Sequence, residues 1–405
     1  MDTCILDTFD LSRSDLFMDN AHTEIFERLR NEDPVYLQEN HPIYGSFWNV
    51  TTYKDIMFVE TNHELFSSEG SVMLDDQDEN FPLPMFIAMD RPEHTNYRTK
   101  FSPAFSMQNI TALEELIVQR THKVLDSLPI GEKFNWVDRV SQELTSLMLA
   151  TLFDFPLEDR KKLIRWSDVA TATQQHNGIV ASDEERKVEL MECLRVFTAL
   201  REKRMAETPK NDLISLLAHS DQFKGMLPSQ LLGNIALLLV AGNDTTTNTM
   251  TGGVLALNQY PEQYKKLKND HSLIDNFVNE TIRWQTPLAY MRRTAKVDVI
   301  LNGKKIKAGE KLLMWYVSGN SDEEVFEDGD NFNIERKTSV LKKHLSFGFG
   351  IHRCIGKRLA ELQLKILWQE LLVRFDHIEV CGDPVKTRSN FIKGYSKLEV
   401  ILHKS

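Results

Sequence analysis

The ten residues FGFGIHRCIG, Phe347 to Gly356, constrain this chain more than any other stretch. Gly348, Gly350 and Gly356 permit positive φ or a close approach to a flat partner, which a Cβ would obstruct. Directly after Cys354, the apolar positions Ile355, Leu359, Leu362 and Ile366 recur at helical spacing, so a helix with one buried face begins there. A sulfur just ahead of a helix N-terminus meets free N–H groups and the positive end of the dipole. Both favour its thiolate, the form that ligates metals. Taken alone, these residues also suit a glycine-rich turn around an inert buried cysteine.

The order Phe347-x-x-Gly350-x-x-x-Cys354-x-Gly356 resembles the ligand signature of the cytochrome P-450 superfamily, the haem-thiolate monooxygenases. A second segment agrees with it. Pro228 opens a long helical stretch reaching about Asn258, apolar on nearly all faces around ALLLVAG and hence buried. Its apolar run is too short to span a bilayer. Inside it, AGNDTTT (Ala241 to Thr247) sets polar groups where burial demands partners or a purpose. Gly242 weakens the local helix, while Asp244 and the Thr245 hydroxyl are able to bend the ladder and hold water. Either a self-satisfied kink or a proton relay fits those residues. The resemblance implies the relay, with Thr245 hydrogen-bonding dioxygen and Asp244 helping to deliver protons.

Glu280 and Arg283, three apart in ETIRW, make a simple helix-face pair on their own. The family resemblance turns them, with Arg336 in FNIERK, into a brace for the ligand segment. A bound haem b brings two propionates, which Arg and His suit. The resemblance implies His94, Arg98, Arg293 and His352 for that task, with Arg292 as the alternative to Arg293. Ala241, Gly242, Phe347, Gly348 and Gly356 complete the implied cofactor surface, and Cys354 the metal ligand. Three departures stand out: Arg91 replaces a frequent proline, Arg353 sets a charge before the ligand, and EDGDNFNIER lacks the usual proline-rich form.

No proline-, glycine- or serine-rich linker interrupts the 405 residues, so one domain over 1–405 is expected. Its class is mainly α with small β-sheets, the P-450 fold with a long buried helix over the haem. Its β-containing parts fall at about 34–60 and 293–320, and its helical parts at about 92–290 and 355–375. Within it, Pro34–Glu39 and Ser46–Val50 form a hairpin and Thr52 N-caps the next helix. Asn302-Gly303 makes a turn, and 397–403 is extended. The stretch from Pro92 to about Leu217 reads as helical throughout. The irregular, apolar segment from Glu69 to Asp90 either covers a cavity or packs on the core. QQHNGIVA, Gln174 to Ala181, reads as a loop in a lid position.

A net charge of −11, spread along the chain, argues against nucleic acid as a partner. The opening MDTCILDTFDLSRSDLF has neither a basic leader nor an apolar run, which predicts a cytoplasmic protein without a membrane anchor. Cys4, Cys193, Cys354 and Cys381 lack CxxC spacing, which argues against disulfides, zinc or iron–sulfur centres.

Stretches such as GSFWNVTTYKDIMFVETNHELFSSE, FPLPMFIAMD and FGFGIHRCIGKRLAE extend the resemblance, over most of the chain, to soluble bacterial alkane and fatty-acid terminal hydroxylases. That implies O2-dependent hydroxylation of the terminal methyl of medium-chain alkanes, alcohols or fatty acids. The core motifs equally permit a terpene, steroid or macrolide substrate, and a non-catalytic haem sensor or carrier is the reading from another class. The expected pocket for the hydrophobic substrate comprises Met73, Leu74, Phe86, Leu237, Leu288, Met291 and Phe391. Electrons are implied to come from a 2Fe–2S ferredoxin and an NAD(P)H-dependent ferredoxin reductase. Lys342, Lys343, Arg353, Lys357 and Arg358 offer that ferredoxin a docking face, or are an ordinary solvated surface.

Overall fold

In the computed structural model, which describes residues 9–172, 178–223 and 225–404, helices dominate and four small sheets lie at the periphery. The helix Pro228–Gln259 runs through the middle. Proline at its first position loses no needed N–H, and the Gln230 side chain accepts from Leu227 N at 3.1 Å. Pro261 then opens the next helix, Pro261–Asn269. Against the central helix pack Gln142–Leu152, Lys161–Thr171, Ile274–Gln285 and Lys357–Arg374. The crossings are close because glycines allow them: a Cβ on Gly252 would lie 2.3 Å from Gln285 Oε1, and one on Gly253 would lie 3.0 Å from the Trp368 ring.

The largest sheet runs in the order Val35–His41, Gly45–Val50, Lys311–Met314, Met291–Ala295, Phe66–Ser67. Gly45–Val50 and Lys311–Met314 pair in parallel, in register from Phe47 opposite Lys311 to Val50 opposite Met314; the other pairs are antiparallel. The expected hairpin therefore forms, as does the Asn302-Gly303 turn, whose residues take φ of 47° and 76°.

Thr52 takes the expected N-cap position with extended backbone, while its hydroxyl donates to Asp55 Oδ2 at 2.6 Å and Asp322 Oδ2 accepts from Tyr53 N. One local expectation is corrected. The stretch from Pro92 is not helical throughout, because Lys133–Asn135 pairs with Glu399–His403 as the edge of a three-stranded sheet. Three residues show too little periodicity to reveal a strand that only a distant partner stabilises. Part of the expected lid loop, residues 173–177, lies outside the described residues.

Candidate active site

The ligand loop folds as its glycines require. Gly348 and Gly350 take φ of 61° and 64°, and a Cβ on Gly350 would lie 2.3 Å from the Glu60 carbonyl oxygen. Cys354 N donates to Phe347 O at 2.8 Å, and Gly356 caps the helix Lys357–Arg374. Cys354 is exposed to the cavity; desolvation still pushes its thiol up, against the amides of Gly356 and Lys357 and the charges of Arg98 and Lys357, which favour the thiolate. A metal ion would tip that balance. Among the described residues no group of three His, Cys, Asp or Glu side chains could hold one, so the ion must bring its other ligands with it. Cys193 is buried and Cys381 partly exposed, and neither lies beside the cavity.

Cys354, Phe347, Gly348, Ile355 and Gly356 form one wall of a cavity whose opposite wall is Leu237, Leu238, Ala241, Gly242, Thr245 and Thr249. The space among its lining residues, open mouth included, is ≈ 1490 Å³. A sulfur in one wall and an apolar helix face opposite suit a flat macrocycle between them.

Whether that macrocycle is haem can be tested on its polar edge. His94 is buried with both ring nitrogens unpartnered, and His352 has Nδ1 in the same state, with Nε2 2.9 Å from Ser68 Oγ. The two rings lie 4.2 Å apart, and Arg98 and Arg293 join them in the lining. Burial, reinforced by neighbouring arginines, pushes His94 down to about 4 and His352 down to about 2. Orphaned donors and concentrated positive charge suit two carboxylates, so the residues fit the propionates of haem. Strand geometry places Arg293, and not Arg292, in the cavity lining. Successive residues of Met291–Ala295 face opposite sides, so Met291 and Arg293 line the cavity. Arg292 turns away to Asp76 at 2.7 Å and to the carbonyls of Met73 and Leu74.

The polar run of the central helix is sorted onto three faces. Leu238, Ala241, Gly242, Thr245 and Thr249 form the cavity stripe, at spacings of three, one, three and four. Asn243, Thr247 and Thr251 face Gln142–Leu152 and its N-terminal turn: Thr145 Oγ1 lies 2.9 Å from Asn243 Oδ1 and 3.0 Å from Thr247, and Ser141 lies 3.0 Å from Thr251. Asp244 faces Lys161–Thr171, accepting from Ser167 Oγ at 3.1 Å and from Asn243 Nδ2 at 2.8 Å. The run lies within one unbroken helix, Pro228–Gln259. Gly242 serves packing as well, since its Cβ would meet Leu149 Cδ2 at 2.7 Å. Thr245 Oγ1 donates to Ala241 O at 2.8 Å.

Beneath the ligand loop, Glu280 and Arg283 form a buried bidentate pair, 2.7 Å on each arm, and Arg336 Nε adds a contact at 3.2 Å. The guanidinium of Arg283 also donates to the carbonyls of Asn320, Gly329 and Asn331, tying down the segment that leads to the loop.

Of the expected substrate residues, Phe86, Leu237, Leu288 and Met291 line the cavity. Met73, Leu74 and Phe391 do not, and this is a correction: they pack in a separate apolar cluster with Tyr290 and Trp315. Of the apolar segment Glu69–Asp90, only Phe86 and Ile87 reach the cavity, while Leu83 belongs to the core beside it. Sequence reading missed Glu60, buried in the lining, joined to Tyr316 Oη and 3.6 Å from Arg293. It also missed Leu149 and Leu152. Nothing in their local pattern distinguishes them from core leucines.

A cysteine at a helix N-terminus, a hydroxyl across an apolar cavity and an edge of orphaned donors fit a haem bound through a thiolate. The chain belongs to the cytochrome P450 family, whose sequence profile matches residues 33–400. It is 34% identical to linalool 8-monooxygenase of Pseudomonas putida, over 97% of this chain and 98% of that one. It is 30% identical to the methyl-branched lipid omega-hydroxylase of Mycobacterium bovis, covering 94% of this chain and 91% of the relative. Cytochrome P450-153 from Novosphingobium aromaticivorans, a solved structure, superimposes with a TM-score of 0.90 at 45% identity, over 97% of this chain and 99% of that one. The protein is therefore a P450 monooxygenase that uses haem and O2 and draws electrons from a redox partner. Among the described residues, no helix is long and apolar enough to cross a membrane.

Proposed function

We propose that this enzyme hydroxylates the terminal methyl of a medium-chain alkane, alcohol or fatty acid, with haem b held by Cys354. The carrying observation is the cavity itself. Cys354 and Thr245 look onto it from opposite sides, and the wall between them, including Ile87, Leu149, Leu152, Leu237, Leu288 and Met291, is aliphatic. The titratable lining groups Glu60, His94, Arg98, Arg293 and His352 cluster near the ligand loop, so among the described residues no ionic anchor meets the part of a substrate farthest from Cys354. An apolar chain end entering first suits such a space. The resemblance to alkane and fatty-acid terminal hydroxylases and the omega-hydroxylase relative support the same reading. A terpenoid is the second reading, favoured by the 34% identity to linalool 8-monooxygenase.

When bound, thiolate-ligated haem supplies an O2-derived oxidant strong enough for unactivated C–H bonds. The chain does the rest. Cys354 donates its sulfur, His94, Arg98, Arg293 and His352 hold the propionates, and the leucines exclude water and aim the substrate. Thr245 presents a hydroxyl to the reacting face, and Asp244, one residue back, stores a proton: burial and the nearby Asp168 push its carboxyl up to about 7. A 2Fe–2S ferredoxin is the proposed donor, docking at Lys342, Lys343, Arg353 and Arg358, all exposed, with Lys357 at the edge.

Purified holoenzyme titrated with linear alkanes, alkanols, fatty acids, linalool and steroids will show the low-spin to high-spin Soret change with linear chains. Responses confined to the terpenoid or steroid would replace the substrate assignment. A ferrous–CO spectrum without the red-shifted thiolate band would overturn the site itself.

A further inference from the structure

Glu60 is the one carboxyl among the described residues that line the cavity, where its titratable neighbours include His94, Arg98, Arg293 and His352. It lies in the last turn of the helix Tyr53–Thr61 and is 5% exposed. Three groups fix it. The Tyr316 hydroxyl donates to Oε1, Phe349 N of the ligand loop donates to Oε2 at 3.3 Å, and Arg293 Nη2 lies 3.6 Å from Oε1. Gly348 lies against the same carboxyl, since a Cβ there would be 3.7 and 3.8 Å from its two oxygens. Arg293 is equally buried and donates through Nη1 to the Arg292 carbonyl at 2.8 Å. At 3.6 Å the Glu60 carboxylate attracts that guanidinium without taking a hydrogen bond from it, which leaves Nη2 for an acceptor in the cavity.

We propose that Glu60 is a positioning residue that acts on haem through Arg293: it orients the guanidinium for a propionate and sets a fixed negative charge beside the cofactor, which lowers the haem reduction potential. This rests on the reading of Arg293 as a propionate partner. Tying the helix to the ligand loop needs only acceptors, and a glutamine would supply one. A carboxylate near two propionates instead adds like charge in a low-dielectric interior, so its charge has a consequence once haem is seated. Arg293, shared between Glu60 and the propionate it would hold, offsets that repulsion in part, because one cation then serves two carboxylates. Reduction brings one electron to the ferric iron and breaks no bond. Glu60 opposes that added negative charge, so it favours the ferric form.

The surroundings hold the carboxylate in place. Tyr316 opens the short helix Tyr316–Gly319, and burial and the Glu60 charge push its hydroxyl well up, so it stays a donor. Arg293 sits inside the strand Met291–Ala295, opposite Leu312 of Lys311–Met314, which fixes its backbone. The Glu60 carbonyl is equally committed, since Gly350 of the ligand loop passes so close that a Cβ would lie 2.3 Å from it. A helix, a strand and the ligand loop therefore meet at this one residue. Among the described residues Arg293 is its one ion-pair partner, so no second cation cancels the charge locally.

The test uses the substrate-free holoenzyme as wild type, Glu60→Gln, Glu60→Ala and Glu60→Asp. Spectroelectrochemical titration of the Soret band reads the ferric–ferrous midpoint without turnover. Glu60→Gln, which keeps an acceptor for Tyr316, will favour the ferrous form about tenfold, a rise of about 59 mV for one electron. Glu60→Ala will move the midpoint the same way, so the sign can be read from either neutral variant. Glu60→Asp keeps the charge and will stay nearer to wild type than to Glu60→Gln. Neutral variants whose midpoint stays in place or falls would overturn the proposal. So would a Glu60→Asp midpoint that rises with theirs, because a merely structural role disturbs all three alike. If Glu60→Gln shifts the midpoint but Arg293→Ala holds haem as firmly as wild type, the propionate reading of Arg293 fails, and with it the route through that residue.

Discussion

Replacing Glu280 by glutamine probes the brace beneath the ligand loop. The carboxylate is fully buried and accepts from Arg283 Nε and Nη2 at 2.7 Å, Arg336 Nε at 3.2 Å and Asn333 N at 2.8 Å. Glutamine keeps the volume and one acceptor, but it leaves the Arg283 guanidinium, 1% exposed, without a counter-charge. Stripping one partner from a buried pair costs about 3–5 kcal/mol. The carbonyls of Asn320, Gly329 and Asn331 and the face of Phe326, 5.3 Å away, still stabilise the cation, which places the loss near the lower end. An unfolding entropy of about 2.1 cal/mol/K per residue over 405 residues amounts to about 0.85 kcal/mol/K, so a loss of about 3 kcal/mol lowers Tm by about 3–4 °C. Scanning calorimetry of the holoprotein at one fixed rate reads that shift, since a cofactor protein of this size need not refold. Arg13→Ala, which breaks an exposed pair with Asp15, is the comparison and will leave Tm unchanged. If Glu280→Gln moves Tm no more than Arg13→Ala does, the brace contributes nothing and the reasoning fails.

Thr245→Ala will keep its haem but send reducing equivalents to peroxide; stoichiometric coupling of NAD(P)H to product in that variant would remove Thr245 from the proton path. Arg293→Ala will lose haem several-fold faster to apomyoglobin than wild type, and Arg292→Ala will not, because only Arg293 lies on the cavity face of its strand. Equal loss rates would contradict that assignment. Asp244→Asn will flatten the pH dependence of stability. The Asp244 carboxyl is raised from 3.8 in the unfolded chain to about 7 in the folded one, so its contribution is full below about pH 4 and is lost as pH rises through 7. Between about pH 4 and 7 the variant will lose less stability in thermal melts than the wild type, and an unchanged slope over that range would refute the burial argument.

The elements that carry the chemistry were legible where side chains report their own surroundings. The ligand loop needs positive φ at Gly348 and Gly350, and only glycine enters that region freely, so the sequence shows the turn directly. The central helix is apolar on all sides, and Pro228 and Pro261 mark its ends. Glu60 was invisible for the opposite reason. It closes an ordinary surface-like helix, Tyr53–Thr61, and only the tertiary approach of Tyr316, Arg293 and the ligand loop makes it a buried carboxylate. Met73, Leu74 and Phe391 erred in the same way, since an apolar side chain in an irregular segment says that it is buried but not which cluster receives it.

The run AGNDTTT shows how far a motif can be trusted as a single object. Read along the chain, Asp244 and Thr245 are neighbours and invite a shared path. On a helix, adjacent residues are about 100° apart, and the structure uses that angle: Thr245 belongs to the cavity, Asp244 to Ser167, and Asn243 to Thr145. The continuous helix keeps these faces apart, and Leu149 packs against Gly242, so proton delivery needs a side-chain rotation of Asp244. Supply and use of the proton are thereby separated by the backbone itself. The carboxyl can hold its proton on the far face while the cavity face stays apolar, which is the condition for oxidising a C–H bond without admitting bulk water.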